Sequence, residues 1–198
     1  MVEAKIPMAQ VVTCDDVTPM MGLAETPRYY VAEQEKLATL RNLNVFPDGI
    51  CEAFRQSCAD FQMRYWIIDN SGSMSRSDGQ RLVTRNGATR RVRSSRWEEL
   101  GDSLIFHATL AASLGAPTEF RLLNAPAGCP QVVELGMGYK DAEIEQVRAM
   151  VATSPVGGTP LCGRIREVVQ LVRAREPQLR AAGKRALIVI ASDGEPSD

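Results

Sequence analysis

Imidazole is almost absent from this chain: His107 is its single histidine. A Ser–His pair would therefore have to be assembled from residues on distant elements, and Ser71 does not sit in a Gly-x-Ser-x-Gly elbow. The five cysteines are odd in number and form no Cys-x-x-Cys pair, which argues against both a disulfide framework and a zinc site. Cys51 and Cys58, seven apart on an expected helix, read as buried small hydrophobes in a reducing compartment. Neither sign of charge is in excess, with 23 Lys and Arg against 24 Asp and Glu and a formal net charge of −1. Nothing global thus draws the chain to nucleic acid or to an anionic membrane. No apolar stretch approaches the roughly 20 residues of a membrane span. Met1-Val2-Glu3-Ala4-Lys5 lacks the basic, then apolar, start of a secretory signal. The expectation is a cytoplasmic protein.

What is present suits one domain with a sizeable core, since 44% of the 198 residues are hydrophobic and 24% charged. Residues 1–27 hold Pro7, Pro19, Gly22 and Pro27 without sustained periodicity and read as an irregular arm. Residues 28–198 read as an α/β domain. Its first helix is expected from Arg28 to about Leu43, with Tyr30, Leu37 and Leu40 as the apolar stripe. A second helix follows the turn at Pro47-Asp48-Gly49, with Ile50, Phe54, Cys58 and Phe61 at helical spacing. Strands are expected at Met63–Ile68, Thr118–Leu123, Gln131–Leu135 and Ala186–Ala191. Helices are expected at Glu98–Leu114, Asp141–Ala152 and from Pro160 until Pro177 interrupts. Thr159 is placed as N-cap of that last helix, with Pro160 in its first position. Tyr139-Lys140-Asp141, with Glu143 and Glu145, reads as a solvated helix start. Strands alternating with helices predict a doubly wound, mostly parallel sheet.

The chemistry gathers where the apolar run Tyr65-Trp66-Ile67-Ile68 stops at Asp69-Asn70-Ser71-Gly72-Ser73. A strand ending in an aspartate and two alternating serines presents three oxygen side chains at its carboxyl end, where open α/β sheets bind ligands. Oxygen donors suit a hard divalent cation such as Mg²⁺ or Mn²⁺. Gly157-Gly158-Thr159-Pro160 adds a hydroxyl in a later loop. The run Ala186-Leu187-Ile188-Val189-Ile190 ends at Ala191-Ser192-Asp193-Gly194.

In these segments the chain resembles the von Willebrand factor type A domain with its metal-ion-dependent adhesion site. The family pattern is Asp-x-Ser-x-Ser after the first strand, a later Thr, and Asp-Gly after the fourth strand. Asp69, Ser71, Ser73, Thr159 and Asp193 match it in order, and the resemblance runs from about Met63 to the end of the chain. It implies a Rossmann-like α/β fold with strands one and four adjacent, cut short after the fourth strand because the chain ends five residues past Asp193. It also implies a bound Mg²⁺ or Mn²⁺ held by those five residues. That ion, under-neutralised by two carboxylates, takes a Glu or Asp from a partner protein. The expected function is metal-dependent protein binding without catalysis. Two alternatives stand beside it. One is Mg²⁺-dependent phosphoryl transfer on Asp69, although Ser71 stands where that chemistry normally places a second acid. The other is a structural domain with an inactive site.

Residues 76–96 form a basic insert, seven arginines against the single acid Asp78. Asn86-Gly87 between two β-prone runs is a strong hairpin signal. Arg81, Arg85, Arg90, Arg91 and Arg93 are candidates for attracting an acidic partner to the rim of the site. Without interleaved aromatics, single-stranded nucleic acid is not the expected partner. The alternative is a solvated hairpin whose arginines prevent edge pairing. His107, on the apolar stripe of its helix, reads as a packed, hydrogen-bonded core residue.

Overall fold

The computed structural model describes residues 10–12, 33–42, 46–194 and 196–198. Its centre is a strand, β2 (Phe61–Ile68), in which successive side chains pass to opposite faces. Met63, Tyr65 and Ile67 pack on one face with Val168 and Leu161 of α5 (Leu161–Ala181). Trp66 and Ile68 pack on the other, with Leu104 and Ala108 of α3 (Arg96–Leu114) and Val147 and Met150 of α4 (Lys140–Val151). Apart from Gln62 and Arg64 the strand is apolar, as burial on both faces demands.

β2 lies between two parallel neighbours, β5 (Thr118–Leu122) and β7 (Arg185–Ala191). Antiparallel strands, β6 (Val132–Leu135) beside β5 and β1 (Gln10–Val12) beside β7, complete a mixed five-stranded sheet in the order β1-β7-β2-β5-β6. The expected adjacency of the strands carrying Asp69 and Asp193 is observed. Register sets the site: Ile68 pairs with Leu122 on one side and Ala191 on the other. Three parallel strands thus end level, and the loops after them leave from one edge.

A third apolar cluster joins Leu40 of α1 (Glu33–Asn42) and Cys51 and Cys58 of α2 (Asp48–Asp60) to Leu110 and Leu114. Both α2 cysteines are buried, as expected. The stripe expected of α2 is rotated, however. Ile50 is 45% exposed while Cys51 is fully buried, and Phe61 already belongs to β2. Among the described residues no helix is long and apolar enough to cross a membrane.

Four more expectations need correcting. The N-terminal arm is not wholly irregular, since β1 joins the sheet within it and gives β7 a second neighbour; its remainder lies outside the described residues, as do 28–32 and 43 of the first expected helix. α5 runs through Pro177 to Ala181, because the helix is already anchored by Val168 and again by Leu179. It starts at Leu161, so Pro160 rather than Thr159 precedes it, with no side-chain cap there. The first-turn N–H groups of Cys162 and Gly163 donate instead to the Asp198 carboxylate. Finally, Glu143 is not solvated: it is 4% exposed and accepts the N–H groups of Gly136, Met137 and Tyr139.

The basic insert is the expected hairpin, β3 (Gly79–Arg85) paired with β4 (Ala88–Ser94). Its two-residue turn needs positive φ at both positions, and Asn86 and Gly87 have φ of 51° and 74°.

Candidate metal centre

The backbone first brings the loops together. The Asp69 N–H continues the ladder to the Ala191 carbonyl, at 2.8 Å. Gly72 N–H donates to the Gly157 carbonyl at 3.0 Å, and Val156 N–H to the Asn70 carbonyl at 2.8 Å. Residues 69–72, 156–157 and 191–193 are thereby held as one unit.

Side chains close the site. Ser71 Oγ and Ser73 Oγ are 3.0 Å apart, and Ser73 Oγ donates to Asp193 Oδ1 at 2.9 Å. Asp69 is fully buried: Oδ1 accepts the Ser71 N–H at 2.8 Å and Oδ2 accepts the Ser192 hydroxyl at 2.6 Å. Arg96 Nη1 donates to Asp193 Oδ2 at 2.6 Å.

These spacings test the fit to a cation. Donors about 2.1 Å from Mg²⁺ on adjacent octahedral vertices lie about 3.0 Å from one another. The 3.0 and 2.9 Å separations along Ser71, Ser73 and Asp193 are compatible with that edge length and are equally those of ordinary hydroxyl hydrogen bonds. Two carboxylates with two hydroxyls form a hard-oxygen set, and it fits.

Of the five residues expected as ligands, Ser71, Ser73 and Asp193 are joined directly by hydrogen bonds, and Asp69 adjoins them through the Ser71 N–H and the Ser192 hydroxyl. Thr159 stands on the loop docked through Gly157. Its hydroxyl makes no hydrogen bond among the described residues, while its backbone pairs with Ser197 in both directions.

Several residues that organise the site were not expected to do so. Asn70, also fully buried, donates through Nδ2 to the Asn124 carbonyl at 3.0 Å and accepts the Asn124 N–H at 2.8 Å. Asn124 Nδ2 donates in turn to the Gly158 carbonyl at 2.8 Å. Gly157 fits this junction for two reasons: its φ is +77°, and an added Cβ would lie 2.8 Å from Asn124 Oδ1. Ser192 fixes the second oxygen of Asp69. Arg96, counted only as part of a basic run, reaches the centre itself.

The five hairpin arginines named as partner contacts separate into two groups. Arg81 makes a bidentate pair with Asp102 of α3 at 2.6 and 2.7 Å, which raises its pKa, and Arg93 Nε donates to the Ser77 carbonyl. Arg85, Arg90 and Arg91 are exposed, without a hydrogen bond or ion pair among the described residues. Leu82, 70% exposed, stands across the ribbon from Arg91.

His107 packs against Trp66 with ring centroids 4.8 Å apart, and burial holds its pKa below the usual imidazole range. Among the described residues the expected hydrogen bond is not made, and none joins His107 to Ser71 or Ser73. The unfolded chain takes up this proton near pH 6.5, whereas the folded chain does so only at lower pH. Stability should therefore decline as pH falls from about 6.5 toward the depressed folded-state value. Denaturant titrations between pH 7.5 and 5.5 should show a slope that His107→Gln flattens.

Compared with family models, curated proteins and solved structures, the chain matches none of them.

Proposed function

We propose that this chain is a metal-dependent protein-binding module of the von Willebrand factor A type, with a Rossmann-like, doubly wound core, working in the cytoplasm. The observation that carries this reading is the run of oxygens from Ser71 through Ser73 to Asp193, spaced like neighbouring ligands of one small cation. Asp69, Ser71, Ser73 and Asp193 would hold Mg²⁺ or Mn²⁺, with Thr159 on the adjoining loop. Such an ion supplies an electrophilic centre able to accept one carboxylate oxygen from a partner's Glu or Asp.

The protein's own residues keep that centre under-neutralised. Asp69 has both oxygens engaged by Ser71 N–H and Ser192, and Asp193 shares its charge with Arg96. Serine hydroxyls contribute no formal charge. Arg85, Arg90 and Arg91 leave uncompensated positive charge on the hairpin, suited to steering an acidic protein surface toward the site.

Catalysis is not part of this reading. A buried aspartate with both oxygens hydrogen-bonded is poorly placed as a phosphoryl acceptor, and Ser71 holds the position of the second acid.

The test is a titration with Mg²⁺ and Mn²⁺ followed by thermal unfolding. At a hundredfold excess over Kd, binding to the folded state alone stabilises by about 2.7 kcal/mol. For a chain of this size that raises Tm by roughly 5–10 °C. An unchanged melting point with both ions would leave a structural domain with an inactive site. Phosphatase turnover with Mg²⁺ would instead support the enzyme alternative.

A further inference from the structure

We infer that Arg96 is a latch on the centre: it occupies Asp193 in competition with a divalent ion and thereby couples metal entry to docking of the β3–β4 hairpin. This inference rests on the metal-binding reading above.

Arg96 is the first residue of α3, where the positive end of the helix dipole disfavours a cation. Its guanidinium is held there by two carboxylates. Nε and Nη2 form a fork on Asp78 at 2.7 and 2.5 Å, and Nη1 reaches Asp193 at 2.6 Å. Asp78 lies at the entrance to the hairpin, just before β3, whereas Asp193 lies in the loop after β7. One side chain thus ties the root of the insert to the far wall of the site. The backbone reinforces the join, since Arg96 N–H donates to the Arg76 carbonyl at 3.0 Å.

The Asp193 pair is not an ordinary surface ion pair, because its side chains are 26% and 11% exposed. Asp193 divides its oxygens, Oδ1 to Ser73 and Oδ2 to Arg96. A doubly charged ion joining Ser71, Ser73 and Asp193 would stand close to a guanidinium on the same carboxylate. Like charges at such range in a partly buried site repel strongly. Either the ion binds more weakly or Arg96 releases Asp193, and the root of the hairpin then loses its tie to the loop after β7 while Arg81 still holds Asp102.

Two readouts test this, both taken on the full chain without any partner protein. The first is Mn²⁺ affinity by calorimetry. Arg96→Gln should bind Mn²⁺ roughly tenfold more tightly than the parent. Asp78→Asn, which leaves Arg96 to Asp193 alone, should bind it several-fold more weakly, and Arg148→Gln on the exposed face of α4 should match the parent. The second is limited trypsin cleavage at Arg85, Arg90 and Arg91. Mn²⁺ should accelerate cleavage there in the parent. In Arg96→Gln cleavage should not respond to the ion. If the parent binds no Mn²⁺, the metal reading itself fails. If the parent binds it, the latch is overturned should Arg96→Gln share the parent's affinity, or should hairpin cleavage ignore the ion. Asp78→Asn provides the affinity test independently if Arg96→Gln does not fold.

Discussion

Asp69→Asn should bind Mn²⁺ at least roughly a hundredfold more weakly than the parent chain, because affinity at a hard-cation site follows the number of charged ligands. Among the described residues two carboxylates, Asp69 and Asp193, adjoin the proposed centre, and Asp193 already shares its charge with Arg96. Removing the Asp69 charge therefore takes away most of what attracts a divalent ion. The asparagine is chosen to spare the fold. Its carbonyl oxygen can still accept the Ser71 N–H, and Ser192 Oγ can turn from donor to acceptor toward the new amide. Asp69→Ala would test the same charge less cleanly. It would open a void at a fully buried position and strand the Ser71 N–H. The expected result is a Tm near that of the metal-free parent, with no rise on adding Mg²⁺ or Mn²⁺. Calorimetry giving an unchanged Mn²⁺ affinity would sink the proposed centre.

The converging ligands were legible because each occupies a strand end, and strand ends announce themselves in sequence. An apolar run covered on both faces stops abruptly at Asp69, and another stops before Ser192 and Asp193. Parallel pairing in register then brings the two stops level. Asn86-Gly87 was legible for a similar reason, since a two-residue turn with two positive φ angles has few sequence solutions. What stayed hidden depends on partners distant in sequence. Helical spacing gives the period of α2 but not its phase, so Ile50 and Cys51 could be told apart only once α3 was in place. Glu143 looks solvated until the N–H groups of Gly136, Met137 and Tyr139 converge on it. Pro177 ends a helix only where nothing beyond it is anchored, and here Leu179 is buried. Arginines in a basic run look alike in sequence. In space Arg81, Arg93 and Arg96 are committed within the molecule, and Arg85, Arg90 and Arg91 are not.

Asn70→Ala is the second substitution expected to act strongly, and it acts through geometry rather than charge. The Asn70 amide is fully buried and complementary to one backbone unit, donating to the Asn124 carbonyl and accepting its N–H. Asn124 then holds the Gly158 carbonyl, while the Asn70 carbonyl accepts the N–H of Val156. One residue thus fastens the loop after β2 to the loop after β5 and to the loop bearing Thr159. Alanine removes both side-chain partners of Asn124 at once. Each stranded group costs about 1–3 kcal/mol. Partial exposure of Asn124 lets water recover some of this, leaving a net loss of about 2–4 kcal/mol. Urea denaturation should show it directly, and the melting point should fall by roughly 5–15 °C. Mn²⁺ affinity should weaken as well, although every proposed ligand remains, because Asn124, which holds the Gly158 carbonyl beside Thr159, is no longer fixed by Asn70. A stability loss within about 0.5 kcal/mol, the usual range for an unremarkable surface change, would mean that the backbone contacts of Gly72 with Gly157 and of Asn70 with Val156 hold the loops by themselves.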